Sequence, residues 1–302
     1  MVPDIKSLHI ETTNICTLKC PSCSRTDFLN SPFGKYWKNQ NLDYAALDKF
    51  LDIDLSDITL HLCGNYGDPL YYTELFNFVK TFKNRNAKLH ITTNGSHKTK
   101  EWWTELCLLL DPSEDKITFS IDGTPDNFTQ YRINGDWESI RVGIETCAEH
   151  KIFTEWKYIV FQYNMNAIDE AKELSRQLGM NYFSTVNSHR YDQIDTFKPD
   201  DLYINSKFFA QQDQVDEIEP ACYNGQEHYI SADGYYSPCC FVAEHRFYYK
   251  TEFGKNRKNY SIKNKTILEI IEDQNTIKFY ETINDVKPNV CVFQCPKTNK
   301  NT

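Results

Sequence analysis

The chain has 302 residues, a hydrophobic content of 40% and a formal net charge of −9. This length and content can fill the core of one large domain and a smaller one, so we expect a folded globular protein. The acidic balance, without any run of Lys or Arg, argues against nucleic-acid binding. No stretch approaches the ~20 apolar residues of a membrane span, and the N-terminus lacks a secretory signal, so we expect a cytoplasmic protein without membrane contact.

Strand-like and helix-like segments alternate between residues 5 and 190. Short runs rich in β-branched and aromatic residues predict strands at 7–11, 57–63, 88–93, 116–121, 155–163 and 181–186. Amphipathic segments predict helices at 44–51, 73–84, 99–110, 136–150 and 167–179. The last helix has Asn166 as a candidate N-cap and Gly179 as a stop signal. This alternation predicts a parallel α/β sheet, either open and doubly wound or curved into a barrel.

Small polar residues follow each of the first four predicted strands. The segments are CTLKCPSC at 16–23, GNYGDP at 64–69, TNG at 93–95 and SIDG at 120–123. In barrels of parallel strands, functional residues lie at the carboxyl ends of the strands. We therefore expect the functional site at this edge of the sheet.

The sequence changes character after residue 195. DQIDTFKPDD is polar and predicts a linker, and the alternation of strands and helices stops there. Asp233 and Gly234 predict the turn of a β-hairpin, and 267–283 predicts a helix. We therefore expect two domains, residues 1–195 and residues 196–302.

The chain contains eleven cysteines, most of them clustered near its two ends. In a reducing compartment, clustered cysteines are more often metal ligands than disulfides. Cys16, Cys20 and Cys23 form a CxxxCxxC loop directly behind the first predicted strand. Three thiolates leave one iron of a [4Fe–4S] cubane without a protein ligand, and a substrate or cofactor can bind there. A zinc knuckle that includes His9, or a group of redox thiols, is the alternative.

This loop, with a strand before it and helices after it, resembles the radical SAM superfamily. The resemblance implies a partial (β/α)6 TIM-type barrel and a [4Fe–4S] cluster held by Cys16, Cys20 and Cys23. It also implies that S-adenosylmethionine (SAM) binds the free iron and is reductively cleaved. The resulting 5′-deoxyadenosyl radical then abstracts a hydrogen atom from the substrate, and the protein positions both molecules.

The same resemblance implies SAM contacts at the following strand ends. Gly67 and Asp68 occupy the places of the family's Gly and Glu that hold the SAM amino group, and Asn94 matches the third-strand signature. Ser120 and Asp122 match residues that hold the ribose hydroxyls, and Arg132 matches a basic residue near the SAM carboxylate. Taken singly, several of these side chains are equally typical of helix caps and turns.

Other positions extend or depart from this pattern. Gln162 and Asn164 lie at the carboxyl end of the fifth predicted strand, so we expect them at the same edge of the sheet. Ser22 stands where many relatives carry an aromatic residue over the adenine, so we expect Tyr66 or Phe28 to substitute for it.

The second cysteine group resembles the SPASM and twitch domains appended to many radical SAM enzymes. The resemblance rests on Cys222, the DGYYSPC segment that ends at Cys239, and CVFQC with Cys291 and Cys295. It implies one auxiliary [4Fe–4S] cluster held by these four cysteines in a small α+β domain. A zinc ribbon is the alternative, because four thiolates suit zinc equally well.

The remaining cysteines are expected to have no role as ligands. We expect Cys240 to be a buried or spare thiol, Cys107 and Cys147 to be core residues, and Cys63 to border the SAM loop.

The resemblance leaves the substrate open. One hypothesis is net oxidation of a small alcohol, a sugar-like molecule or a peptide side chain, with an electron passed to the auxiliary cluster. The alternative is a peptide- or protein-modifying maturase that crosslinks or epimerises, and a hypothesis of another class is a zinc-bound cysteine-cluster binding protein. The expected partners are the substrate and an electron donor such as flavodoxin or ferredoxin.

We assign no general acid or base, although Tyr191, His189 and Glu219 lie near the predicted domain junction.

Overall fold

The computed structural model describes residues 4–187, 195–204 and 217–297. Within these ranges the strands form an eight-stranded sheet with the order β6-β5-β4-β3-β2-β1-β7-β8. Their bounds are β1 Ser7–Ile10, β2 Thr59–Leu62, β3 Lys88–Thr93, β4 Lys116–Ser120, β5 Phe153–Ile159, β6 Tyr182–Val186, β7 His228–Ile230 and β8 Tyr236–Ser237.

The first six strands pair consecutively and in parallel, as the alternating sequence predicts. Helices supply the crossovers, because parallel neighbours cannot be joined by a tight turn. Strands β6 and β8 are the two edges of the sheet, and no pairing joins them among the described residues. The α/β fold with a partial barrel is therefore confirmed, and the sheet is not closed.

Eleven α-helices lie within the described ranges. Six belong to the crossovers: α1 Ser24–Asn30, α2 Tyr44–Phe50, α3 Leu75–Lys83, α4 Lys100–Cys107, α5 Trp137–Glu149 and α6 Ile168–Gln177. The others follow β8: α7 His245–Tyr248, α8 Glu252–Lys255, α9 Ile267–Ile271, α10 Gln274–Val286 and α11 Asn289–Gln294.

The two faces of the sheet differ in polarity because successive side chains of a strand point to opposite sides. On the outer face, Leu8, Leu60 and Leu89 are fully buried in the main hydrophobic core. On the opposite face, His9, His61 and His90 lie side by side in register on β1, β2 and β3. We call this second face the inner face. On β4 and β5 it includes Lys116, which pairs with His90, and Lys157, which pairs with Ser120.

Two predicted helix boundaries are wrong. The segment 267–283 forms two helices, because the Asp273 side chain accepts a hydrogen bond from the Asn275 backbone N–H and starts α10 anew. Asn166 is not the N-cap of α6, because it lies within a 3₁₀ turn that leads into the helix, and Ala167 occupies the cap position. Gly179 follows the end of α6 with a positive φ of 79°, as its stop signal predicts.

The predicted hairpin is confirmed. Strands β7 and β8 pair antiparallel around a turn in which Gly234 has a φ of 80°. Strand β7 also pairs in parallel with β1, so the hairpin extends the same sheet. One hydrophobic core contains side chains from both predicted domains, such as Leu8, Phe50, Tyr236 and Ile267. The boundary between 1–195 and 196–302 remains a prediction, and part of the predicted linker lies outside the described residues.

Among the described residues, none of the helices has the length and apolar character that crossing a membrane requires.

Candidate active site

Cys16, Cys20 and Cys23 lie in the loop between β1 and α1. Cys23 is the N-cap residue of α1, and its backbone N–H donates to the Cys20 carbonyl at 3.3 Å. All three side chains line one cavity of about 420 Å³ at the carboxyl end of the parallel strands. The loop therefore delivers three thiols to a single open space, as the spacing predicts.

Most of the predicted SAM residues line the same cavity. They are Gly67, Asp68, Asn94, Ser120 and Arg132. Tyr66 and Cys63 line it as well, whereas Phe28 belongs to an adjoining cavity of about 250 Å³. The fold thus brings together residues that are far apart in the sequence, while their contacts with SAM remain predictions.

Two polar side chains point N–H groups at the cysteine sulfurs. The Asn94 side-chain amide lies 3.8 Å from Cys16 Sγ, and Arg132 Nη1 lies 3.9 Å from Cys20 Sγ. Burial raises the pKa of Cys16 to about 12, so the metal-free thiol is neutral at physiological pH. Thiolate ligands of an iron–sulfur cluster are stabilised by N–H groups of this kind. The donor set therefore fits a [4Fe–4S] cluster with one iron left for SAM.

Apolar side chains pack around these thiols. Cys20 belongs to a buried cluster with Leu18, Tyr131, Ile159 and Phe161, and Cys16 and Cys23 pack against that cluster. Such a lining keeps bulk water away from one side of the site.

Asp68 holds the loops after β2 and β3 together. Its carboxylate accepts hydrogen bonds from Leu70 N at 3.0 Å, Thr93 Oγ1 at 2.8 Å and Asn94 N at 2.7 Å. Burial nevertheless raises the pKa of Asp68 above its usual range. The structure thus gives Asp68 a role within the protein, and its contact with the SAM amino group remains a prediction.

Glu11 fixes the loop after β2 at Tyr66 and Gly67. The sequence analysis assigned no role to Glu11. Its Oε1 accepts from Tyr66 N at 2.7 Å and Gly67 N at 3.2 Å, and its Oε2 accepts from the Tyr229 hydroxyl at 2.7 Å. A Cβ on Gly67 would lie 1.8 Å from the Thr13 carbonyl oxygen, so only glycine allows this close approach. An acidic residue directly behind an apolar strand, as in SLHIE, was the available signal.

Asp122 is fully buried and is not among the residues that line the cavity. Its Oδ2 forms an ion pair with Arg132 Nε at 2.6 Å, and its Oδ1 accepts from Ile159 N at 2.8 Å. Asp122 therefore orients Arg132 from behind the cavity wall, and its predicted ribose contact remains untested.

The less specific candidates of the fifth strand do not reach the cavity. Asn164 is fully buried, and its side chain bonds the backbone at Phe161 N, Asp122 O and Ile159 O. Gln162 and the exposed Glu219 are not among the lining residues, and His189 and Tyr191 lie outside the described residues.

Lys157 on β5 lines the cavity, and the sequence analysis did not identify it as a site residue. The alternation within EWKYIV could have identified it, because a lysine between the buried Trp156 and Tyr158 must point to the opposite face.

The four predicted auxiliary ligands converge on a second cavity. Cys222, Cys239, Cys291 and Cys295 all line this small cavity. Burial raises the pKa of Cys222, and the charges of the other three thiols add to this effect, as expected for four close sulfurs. Four thiolates fit a [4Fe–4S] cluster and also fit zinc.

The remaining cysteines are not among the residues that line this second cavity. Cys240 adjoins Cys239 in the sequence, and its backbone carbonyl accepts from Asn65 Nδ2 at 2.8 Å. Cys107 and Cys147 lie in the core with their sulfurs 3.8 Å apart. Phe241 and Gln294 line both the three-cysteine and the four-cysteine cavities, so the two adjoin.

Comparisons with known proteins agree with this geometry. Residues 10–177 match the profile of the Radical SAM superfamily. A segment of 125 residues is 29% identical to the tungsten-containing aldehyde ferredoxin oxidoreductase cofactor-modifying protein of Pyrococcus furiosus, covering 40% of this chain and 32% of that relative. The match thus spans about a third of that relative's length.

Solved structures show the same fold over most of the chain. The structure of anSMEcpe with bound AdoMet matches with a TM-score of 0.60 and 13% identity, covering 92% of this chain and 80% of that one. The structure of anSMEcpe with AdoMet and the Cp18Cys peptide matches with a TM-score of 0.58 and 12% identity, covering 97% and 84%.

Proposed function

Because the chain belongs to the radical SAM superfamily, we propose that it reductively cleaves SAM and abstracts a hydrogen atom from its substrate. The observation that carries this proposal is the convergence of Cys16, Cys20 and Cys23 on one cavity with predicted SAM residues around it. In this proposal Gly67, Asp68, Asn94, Ser120 and Arg132 surround SAM, and Asp122 orients Arg132.

The residues of this chain perform four tasks in that reaction. Cys16, Cys20 and Cys23 would hold a [4Fe–4S] cluster, which would supply one-electron reduction of SAM after an external donor has reduced it. Arg132 and Asn94 direct N–H groups at the ligand sulfurs. Asp68 and Glu11 fix the loops that form the wall, and the apolar cluster around Cys20 excludes water.

We further propose an auxiliary [4Fe–4S] cluster on Cys222, Cys239, Cys291 and Cys295, in a twitch-like domain. Their shared cavity and its contact with the SAM cavity through Phe241 and Gln294 support this assignment. Net oxidation would remove one hydrogen atom to the 5′-deoxyadenosyl radical, one electron to the auxiliary cluster and one proton to a base. The substrate would be a small alcohol, a sugar-like molecule or a peptide side chain, and flavodoxin or ferredoxin would supply the reducing electron.

A second candidate is a peptide- or protein-modifying maturase without net oxidation. The match to anSMEcpe supports the peptide substrate of this candidate, because a protein of the same fold there binds both AdoMet and the Cp18Cys peptide.

The decisive experiment measures 5′-deoxyadenosine after anaerobic reconstitution with iron and sulfide and addition of SAM and dithionite. We expect the wild type to form it and Cys20→Ala to form none, because three thiolates are needed to hold the cluster. Cys107→Ala is the matched control, since Cys107 is a buried thiol of the core, away from the cavity. A colourless, zinc-loaded protein without SAM cleavage would instead favour a cysteine-cluster binding protein.

A further inference from the structure

The inner face of the sheet places one more functional group in the cysteine cavity. Lys157 on β5 pairs in register with Ser120 on β4 and with Ser184 on β6. Its side chain is exposed and lines the cavity together with Ser120 and the three cysteines. Lys157 therefore presents its ammonium group to the space in which the proposed reaction takes place.

Two of the three cations around this cavity form no ion pair within the described part of the chain. Its lining contains Arg25, Arg132 and Lys157, and a single carboxylate, Asp68. Asp68 accepts hydrogen bonds from Thr93 and Asn94, and Arg132 already pairs with Asp122. A small anion that entered would therefore find Arg25 and Lys157 without an ion-pair partner among the described residues.

The carboxylate of Glu155, which lies on the same face as Lys157, already has hydrogen-bonding and ion-pair partners. Glu155 lies two residues before Lys157 on β5, where it pairs with Lys116 and accepts from Ser184 Oγ at 2.5 Å. None of the ion pairs recorded for the described residues includes Lys157.

The carboxyl group of Glu11, two residues after His9 on this face, is held by Tyr66, Gly67 and Tyr229. The other strands add His9 on β1, His61 on β2, His90 on β3 and Lys116 on β4 to the inner face. Burial, with a smaller contribution from the charge of Lys157, lowers the pKa of His9 to about 4 and of His61 to about 3. The imidazoles are thus neutral at physiological pH and carry no negative charge that could pair with Lys157.

We propose that Lys157 binds an anionic group of the substrate, a carboxylate or a phosphate, inside the SAM cavity. This inference rests on the proposed function, which makes the cavity the reaction site. Arg132 lies beside Cys20 and is the residue proposed for the SAM carboxylate, so Lys157 remains for a second molecule. A compact ammonium group suits either anion, because its three donors rotate freely.

The test uses small probes in place of the unknown substrate. Malonate, inorganic phosphate and the neutral malonamide are titrated by calorimetry into anaerobically reconstituted protein saturated with SAM. We expect one or both anions to bind and malonamide not to bind. Lys157→Met should weaken anion binding roughly tenfold or more, as expected for the loss of a charge-assisted hydrogen bond. Lys157→Arg should retain much of it.

Two further measurements keep the result specific. Lys172→Met removes an exposed lysine from α6 and controls for net charge, so it should bind anions like the wild type. SAM affinity should be unchanged in Lys157→Met. The inference is overturned if neither anion binds, if malonamide binds equally well, if Lys157→Met binds anions like Lys172→Met, or if its main loss is in SAM affinity.

Failure of the inference can be distinguished from failure of the proposed function. A wild type that forms 5′-deoxyadenosine but binds neither anion overturns the inference alone. A wild type that binds an anion through Lys157 but never cleaves SAM overturns the proposed function, and with it the assignment of that anion to a radical SAM substrate.

Discussion

Glu11 is a single residue that connects three parts of the molecule. Its carboxylate contacts the loop at Tyr66 and Gly67 and the hydroxyl of Tyr229 on β7, while its backbone continues β1. Only 2% of the residue is exposed, and burial raises its pKa from 4.5 to about 7. A carboxyl group in this environment favours its protonated form in the folded protein.

The raised pKa of Glu11 predicts a pH dependence of stability. Below pH 4.5 the carboxyl is protonated in both states, whereas between pH 4.5 and 7 it ionises in the unfolded chain first. The free energy of unfolding should therefore fall across this window by up to roughly 3 kcal/mol. Glu11→Gln should lack this fall, because an amide does not ionise in this range, and its oxygen can still accept from the loop.

The measurement is urea unfolding of the anaerobic protein at a series of pH values. The exposed Glu105→Gln is the matched control and should follow the wild type. Parallel curves for Glu11→Gln and the wild type would show that Glu11 does not titrate in this range.

Adjacent cysteines at 239 and 240 offer a second test at the scale of one residue. Cys239 lines the four-cysteine cavity, whereas Cys240 is not among its lining residues. If two cubanes are present, Cys239→Ala should reduce the iron content from about eight to about four per chain, and Cys240→Ala should keep about eight. Iron analysis of the reconstituted proteins checks this, and equal losses in both variants would contradict the ligand assignment.

At the scale of elements, the β7–β8 hairpin determines whether the first 195 residues can fold alone. Strand β7 pairs with β1, which otherwise ends the parallel sheet at that side. Without the hairpin, the edge of β1 would expose unpaired N–H and C=O groups, and the core would lose Tyr236 and Ile267.

We therefore expect the fragment 1–195 to aggregate or to unfold without cooperativity, although its sequence predicts a domain. Size-exclusion chromatography and thermal circular dichroism of the fragment and of the full chain test this expectation. A monomeric fragment with a cooperative transition would establish residue 195 as the end of an independent domain.

At the scale of the whole molecule, local sequence signals predicted the parallel sheet and the cysteine groups because both depend on short patterns. Alternation of apolar runs identified all six parallel strands, and the spacing of Cys16, Cys20 and Cys23 placed them in one loop. The turn at Gly234 was also a local signal, since a positive φ favours glycine.

Features that depend on distant contacts were not predictable in this way. The hydrogen bond between Glu11 and Tyr229 joins residues separated by 218 positions. The pairing of β7 with β1 joins residues that are similarly far apart, such as His9 and Tyr229. The alternation within EWKYIV places Lys157 on the polar face of β5, but its position in the cysteine cavity follows only from the packing of β5 beside β4. The ion pair of Asp122 with Arg132 likewise becomes visible only when the fold shows which side of the wall each side chain occupies.

The pairing of the first strand with a late one has a consequence for biosynthesis. Tyr229 leaves the ribosome 218 residues after Glu11, which at ~5–20 residues per second is an interval of roughly 10–40 s. During this time the nascent N-terminal strand has no neighbour on one side. Chaperones that shield exposed edges should therefore accompany translation of this protein.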